Sequence, residues 1–308
     1  METTINNRFI WLNDKLLPLQ EATLNVLSPT AQFGLNVFEG IRCYWSEKEG
    51  QLYAFRQDEH YKRLLRSMAL LRMEGSWSAE DFFSALQAVV QANGYKEDIA
   101  VRQTVFVDGF GSWSSKEPLG MFVAPIPKSR LTPAFRKGLR ACFSTWTRIS
   151  DRNMSPKIKC GANYINSRMA QLEAVENGYD TALFLNEQGT VAEGVGSCIC
   201  LICNNKLITP PNTASVLDSI TRDTLMVLAR EVLNMEVEVR ELDRTEVYSA
   251  DEVFLCGSGV ELTALLSVDG NTVGTGEIGA LTTALHDLYL SVVTGELPQY
   301  QHWLTPVY

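Results

Sequence analysis

A chain of 308 residues is longer than one hydrophobic core supports, so two packed units of roughly 100 to 200 residues each are expected. Apolar residues at 45% and charged residues at 20% match folded proteins and exclude a disordered chain. A net charge of -9 argues against a nucleic-acid surface, and no apolar run approaches the ~18 residues a membrane helix needs.

The opening M-E-T-T-I-N-N-R lacks a basic segment leading into an apolar core, which points to a cytoplasmic protein. F-I-W-L, an Asn13-Asp14 turn and K-L-L-P then read as a hairpin. A helix is expected over 58–73, with Tyr61, Leu64, Leu65, Met68 and Leu71 at three-to-four spacing and His60, Arg63 and Arg66 on other faces. Ser78 and Asp81 make a capping box for the next helix, which stops at Asn93-Gly94. A-V-R-Q-T-V-F-V at 100–107 alternates as a strand and sets Arg102 inward with Ala100, Thr104 and Phe106. Three prolines in A-P-I-P-K-S-R-L-T-P, 124–133, oppose both helix and central strand and mark a boundary.

Beyond it a helix over 163–177 is expected to turn Ile165, Met169, Leu172 and Val175 to one side and to stop at Gly178. T-A-L-F-L-N, V-A-E-G-V-G-S-C-I-C-L-I and K-L-I-T-P-P read as a meander with a turn at Asn204-Asn205. A helix opens at S-I-T-R-D with Leu225, Leu228, Val232 and Leu233 inward. The strand E-V-F-L-C ends at G-S-G, and a last helix begins near 280. Both halves mix helices and strands without strict alternation, which makes the fold α+β.

Seven cysteines, Cys43, Cys142, Cys160, Cys198, Cys200, Cys203 and Cys256, are an odd number set mostly in apolar text, as befits buried thiols in a reducing compartment. C-I-C-L-I-C has no second cysteine pair or histidine cluster to complete a metal site, so no metal is expected.

Chemistry gathers around S-P-K-I-K-C-G-A-N-Y. Lys159 precedes small residues that let a planar ligand approach, and a desolvated lysine attacks carbonyls as a free amine. Tyr164 follows at a helix start. Glu193 lies mid-strand among apolar residues and glycines, where a carboxylate needs a cationic partner. S-I-T-R-D offers a helix N-terminus to a phosphate, and the turn at 257–259 adds a hydroxyl and amides. Amine, phenol, buried carboxylate and phosphate cradle match the aldehyde, ring oxygen, ring nitrogen and phosphate of pyridoxal 5'-phosphate.

The strings N-V-F-E-G-I-R-C-Y (36–44), E-H-Y-K-R-L (59–64), K-C-G-A-N-Y (159–164), V-A-E-G-V-G (191–196), S-I-T-R-D (219–223) and G-S-G-V-E-L-T (257–263) span most of the chain. They resemble the class IV, or fold-type IV, pyridoxal-phosphate aminotransferases, and within them the branched-chain amino acid aminotransferases. The resemblance implies a small N-terminal α/β domain (1–127), an interdomain loop (128–138) and a large C-terminal domain (139–308), with the cofactor in the interdomain cleft. By the same likeness Lys159 joins the cofactor and moves the substrate α-proton, and Lys157 is a bystander. Glu193 pairs with the ring nitrogen and Tyr164 with the ring 3-oxygen. Arg63, Ile220, Thr221 and Ser258 hold the phosphate, with Gly196 and Leu217 beside the cofactor. Phe38 borders the side-chain pocket, Arg102 meets the distal carboxylate of glutamate, and Ser258 and Gly259 bind the α-carboxylate.

The implied reaction is ping-pong: an L-amino acid, branched-chain or otherwise hydrophobic, gives up its amine, and 2-oxoglutarate returns as glutamate. A homodimer or higher homo-oligomer is implied too. The chain departs from that pattern at Phe33 and Ala100, where tyrosines are usual, and at P-I-P-K-S-R, which brings Arg130 in place of aromatic residues. Such changes alter pocket volume and hence substrate choice. S-C-I-C after the glutamate motif is a further departure. A D-amino acid transaminase or an aminodeoxychorismate lyase-like enzyme is the alternative, and a silent structural homologue is opposed by the presence of both Lys159 and Glu193.

Overall fold

The computed structural model describes residues 8–130 and 132–308, with side chains placed outside 131–134. The first seven residues, part of the opening segment read above, and part of the expected interdomain loop lie outside them. Two compact units divide the chain. The first holds Met1–Ser129, Ile158–Ala162 and Val292–Tyr308, and the second Arg130–Lys157 and Asn163–Ser291.

Unit one is built on an antiparallel sheet. Its strands are β1 (Phe9–Leu12), β2 (Lys15–Pro18), β3 (Asn36–Ser46), β4 (Gln51–Phe55), β5 (Ile99–Val107), β6 (Leu119–Pro127) and, from the chain's end, β16 (Leu304–Pro306), in the order β16-β4-β3-β5-β6-β1-β2. Asn13 and Asp14 take positive φ, the geometry of a two-residue hairpin turn, as expected. A short α1 (Pro29–Phe33) precedes β3, while α2 (Gln57–Leu70) and α3 (Ala79–Asn93) cover one sheet face. Tyr61, Leu64, Met68, Phe82, Leu86 and Val90 pack there against Val37, Ile41, Val101 and Val105. The α3 capping box is present, with the Asp81 N–H donating to Ser78 Oγ and the Ser78 N–H to Asp81 Oδ2.

Three expectations need correction here. His60 and Arg63, set apart from the apolar stripe in the sequence reading, are both buried, because Glu39 reaches up from β3 to meet them. Arg102, read as inward, is exposed: Val101, Val105 and Val107 take the helix-covered face and leave Arg102 on the opposite one. The first part of the proline-rich stretch, 124–127, is strand. β6 runs through Pro125 and Pro127 paired to β5, while its other neighbour, β1, pairs only at Phe122 and Val123, so the missing N–H groups cost that edge nothing.

In unit two the strands β7 (Leu139–Phe143), β8 (Thr181–Leu185), β9 (Val191–Gly194), β10 (Cys198–Cys203), β11 (Lys206–Thr209), β12 (Glu236–Val239), β13 (Glu252–Gly257) and β14 (Glu261–Val268) form a mixed sheet, order β12-β11-β10-β13-β14-β7-β8-β9, with β15 (Asn271–Thr272) paired to β14. Around it run α4 (Thr132–Lys137), α5 (Tyr164–Glu176), α6 (Ile220–Glu231), α7 (Arg244–Ser249) and α8 (Ala280–Val293), whose last residues belong to unit one, where a 3-10 turn (Pro298–Trp303) leads into β16.

The apolar side of α5 expected from the spacing faces outward. Ser167, Ala170 and Ala174 are buried, while Ile165, Met169, Leu172 and Val175 are between 39% and 62% exposed. Small side chains let the helix lie close to the sheet, and the larger ones point outward. All seven cysteines are unbridged. Among the described residues no helix is long and apolar enough to cross a membrane.

Candidate active site

In unit one the short segment 158–162 is fastened along β3. The Phe38 N–H donates to the Lys159 carbonyl at 2.9 Å, Val37 and Cys160 form an antiparallel bridge, and the Gly161 N–H donates to Asn36 Oδ1 at 3.2 Å. A β-carbon on Gly161 would come within 2.7 Å of that Asn36 oxygen, so a side chain there would push the Asn36 amide off this hydrogen bond. From α2, the Ser67 hydroxyl accepts the Lys159 N–H at 3.2 Å. The Lys159 backbone is thereby held from two elements while its side chain extends over Phe38, with Nζ 5.0 Å from the ring centroid. Arg102 Cζ stands 4.0 Å from the same centroid. Lys157, in contrast, is half exposed in unit two and pairs with Asp151 at 3.6 Å.

Beneath this face, Glu39 is fully buried and Arg63 grips it with a fork, Nε to Oε1 and Nη2 to Oε2, both 2.7 Å. His60 Nδ1–H donates to Oε2 at 2.7 Å. Burial by itself would raise the Glu39 pKa, but the Arg63 and His60 contacts outweigh it and hold the carboxyl well below the usual range. Burial pushes the His60 pKa down, against the opposing pull of Glu39. Of the pocket residues expected from sequence, Ala100 is half-buried opposite Arg42 of β3, and Phe33, which ends α1, is 44% exposed. Arg130 follows β6 and opens unit two, half-buried.

In unit two Glu193 of β9 is only 3% exposed. Arg148 Nη2 pairs with its Oε1 at 2.8 Å, and the Leu217 N–H donates to Oε2 at 3.2 Å. Arg148 is itself buried, spans to Asn166 Oδ1 at 3.1 Å and lies over the Phe184 ring at 5.5 Å. Tyr164 opens α5, half in solvent, with its ring edge 3.7 Å from where a Gly196 β-carbon would stand; Gly196 takes φ +98°. Ser219 caps α6 by accepting the Arg222 N–H at 3.2 Å, so Ile220 and Thr221 form the first turn at the positive end of the helix. Ser258 and Gly259 occupy the turn from β13 to β14.

These residues fit pyridoxal phosphate by the chemistry of the donor set. A buried carboxylate braced by a guanidinium suits a protonated ring nitrogen, a helix N-terminus suits a phosphate, and Gly196 keeps the space beside Tyr164 clear of a side chain. The structure joins Lys159 with Phe38 and Arg102, Glu193 with Leu217, and Tyr164 with Gly196. Four participants escaped the sequence reading: Arg148, Ser67, His60 as a carboxylate partner, and Glu39. A lone arginine in T-W-T-R-I-S carries no local signal. Glu39 sat inside a quoted motif, and a carboxylate alternating with Val37 and Ile41 could have been flagged as buried.

Comparison with known proteins agrees. Residues 36–268 match the family model for amino-transferase class IV. A probable branched-chain-amino-acid aminotransferase of Aquifex aeolicus is 36% identical, with 97% of each chain covered. The crystal structure of the branched-chain amino acid aminotransferase from Thermobaculum terrenum in its PLP form superposes with a TM-score of 0.93 at 44% identity over 99% of each chain. The branched-chain aminotransferase from the archaeon Thermoproteus uzoniensis, solved with norvaline, superposes at 0.92 with 34% identity, covering 98% of this chain and 99% of that one. With Lys159, Glu193 and the six ordered motifs in place, the chain belongs to the class IV aminotransferases, enzymes that work through pyridoxal phosphate.

Proposed function

We propose that this aminotransferase takes its amine from a hydrophobic L-amino acid, branched-chain donors included, and passes it to 2-oxoglutarate. The observation that carries the reading is Lys159, locked by its backbone to β3 and α2 with its Nζ over Phe38 and Arg102 over the same ring. When bound, the cofactor supplies an electron-accepting ring that makes an amino acid's α-hydrogen acidic. Lys159 Nζ takes that proton from one carbon and returns it to another. Glu193, braced by Arg148, keeps the ring nitrogen protonated, and Tyr164 donates to the ring 3-oxygen. Arg63, the first turn of α6 at Ile220 and Thr221, and Ser258 hold the phosphate, with Gly196 and Leu217 beside the ring.

Phe38 gives the substrate side chain an apolar wall, while Phe33, Ala100 and Arg130 shape the rest of its pocket. Arg102 is exposed on the Phe38 face and can meet the second carboxylate of 2-oxoglutarate, which lets one site serve an apolar and an acidic partner in turn. Ser258 and Gly259 receive the α-carboxylate. The working form is a homodimer in the cytoplasm, supported by the outward apolar stripe of α5 and by seven unbridged thiols. A panel of L- and D-amino acids with 2-oxoglutarate tests the assignment. Glutamate should form from hydrophobic L-donors, and Lys159→Ala should lose at least about a thousandfold in rate along with the visible absorbance of the bound cofactor. Consumption of D-amino acids alone would overturn it.

A further inference from the structure

Three polar groups are buried together in unit one beside Lys159: Glu39, His60 and Arg63, at 0%, 1% and 7% exposure. A buried ion cluster seldom stabilises a protein more than apolar residues of the same volume would, so its geometry calls for a use. Glu39 stands on β3 next to Phe38, and His60, Arg63 and Ser67 recur along one face of α2 at three-to-four spacing. Phe38 and Ser67 hold the Lys159 backbone at 2.9 and 3.2 Å, and Glu39 ties the same strand to the same helix through three contacts of 2.7 Å. The fork from Nε and Nη2 also fixes the plane of the Arg63 guanidinium, which a single hydrogen bond would leave free to swing.

We propose that Glu39, oriented by His60, is a positioning residue that aims Arg63 at the cofactor phosphate and sets it in register with Lys159. The proposal rests on the reading of Arg63 as a phosphate ligand. Glu39 itself touches neither substrate nor cofactor; it acts by presenting a charged fork that cannot rotate. His60 completes the coordination of Oε2, so the carboxylate keeps one orientation.

The test uses full-length holoenzymes of the wild type, Glu39→Gln, Glu39→Asp and Arg63→Lys. For each, cofactor release into an excess of an apo-protein trap is timed, and the phosphorus NMR line of the bound cofactor is recorded at one pH. Glu39→Gln, which keeps the volume but loses the charge that holds the fork, should release cofactor at least about tenfold faster and shift the phosphorus line. Glu39→Asp should fall between it and the wild type, and provides the measurement if Glu39→Gln does not fold. A purely structural carboxylate would lower the melting temperature of these variants and leave the phosphorus line in place, which overturns the proposal. If Arg63→Lys shifts the line and hastens release but both Glu39 variants do not, the positioning role fails while the phosphate reading stands. If Arg63→Lys changes neither quantity, the phosphate reading fails first and takes the proposal with it.

Discussion

Arg148 and Glu193 are the charged pair on which the unit-two site turns, 2.8 Å apart and both nearly excluded from solvent. Breaking such a pair from one side costs about 3 to 5 kcal/mol, because the surviving charge stays buried. Arg148→Met should therefore lower unfolding free energy by about 3 kcal/mol in a denaturant titration, and lower kcat by about ten- to a hundredfold as the carboxylate loses its brace. Pairing it with Glu193→Gln in a double-mutant cycle should recover part of the stability loss and none of the activity. At this scale the sequence was generous with residues that sit inside motifs, Lys159, Tyr164 and Glu193 among them. It was silent on Arg148, whose importance comes from a partner 45 positions away.

At the scale of elements, hydrophobic spacing located α5 and grouped its apolar residues but left its orientation open. Periodicity reports that Ile165, Met169, Leu172 and Val175 share a side of the helix, while the choice of side belongs to the sheet, which accepts the flat Ser167–Ala170–Ala174 face more closely. The outward stripe is identical on every copy, so a two-fold contact through it is self-complementary. Leu172→Glu should convert the proposed dimer into monomer in light scattering behind size exclusion, with the monomer keeping its circular dichroism. A wild-type chain that elutes as monomer at all concentrations would rule out the dimer. The β6 prolines teach a related lesson: a proline forbids a donated hydrogen bond, and that matters only where a neighbouring strand asks for one.

On the scale of the whole molecule, acid should be the condition that unfolds it first through unit one. Glu39 has a folded pKa below its ordinary 4.5, so it contributes stability above that value that is lost as pH falls toward the folded one. His60 has a folded pKa below its ordinary 6.5; the unfolded chain then binds a proton that the native one refuses, which also favours unfolding as pH falls below 6.5. Both act in one direction. Melting temperature should be flat between about pH 7 and pH 8, decline below about pH 6.5 and fall more steeply below about pH 4.5. His60→Gln should flatten the upper part of that decline, read by calorimetry across pH, and an unchanged profile would show that His60 is not the group titrating there.

The sequence by itself determined the mixed α and β content, the turns at Asn13-Asp14 and Asn204-Asn205 and the α3 cap, because each is written in neighbouring residues. Tertiary structure decided the rest. The chain's two units are not two consecutive stretches: 158–162, with Lys159, and 292–308 return to unit one. Strand pairing with β3 and a hydroxyl from α2 hold that segment there, and each is a contact across about 90 to 125 positions that no local pattern encodes.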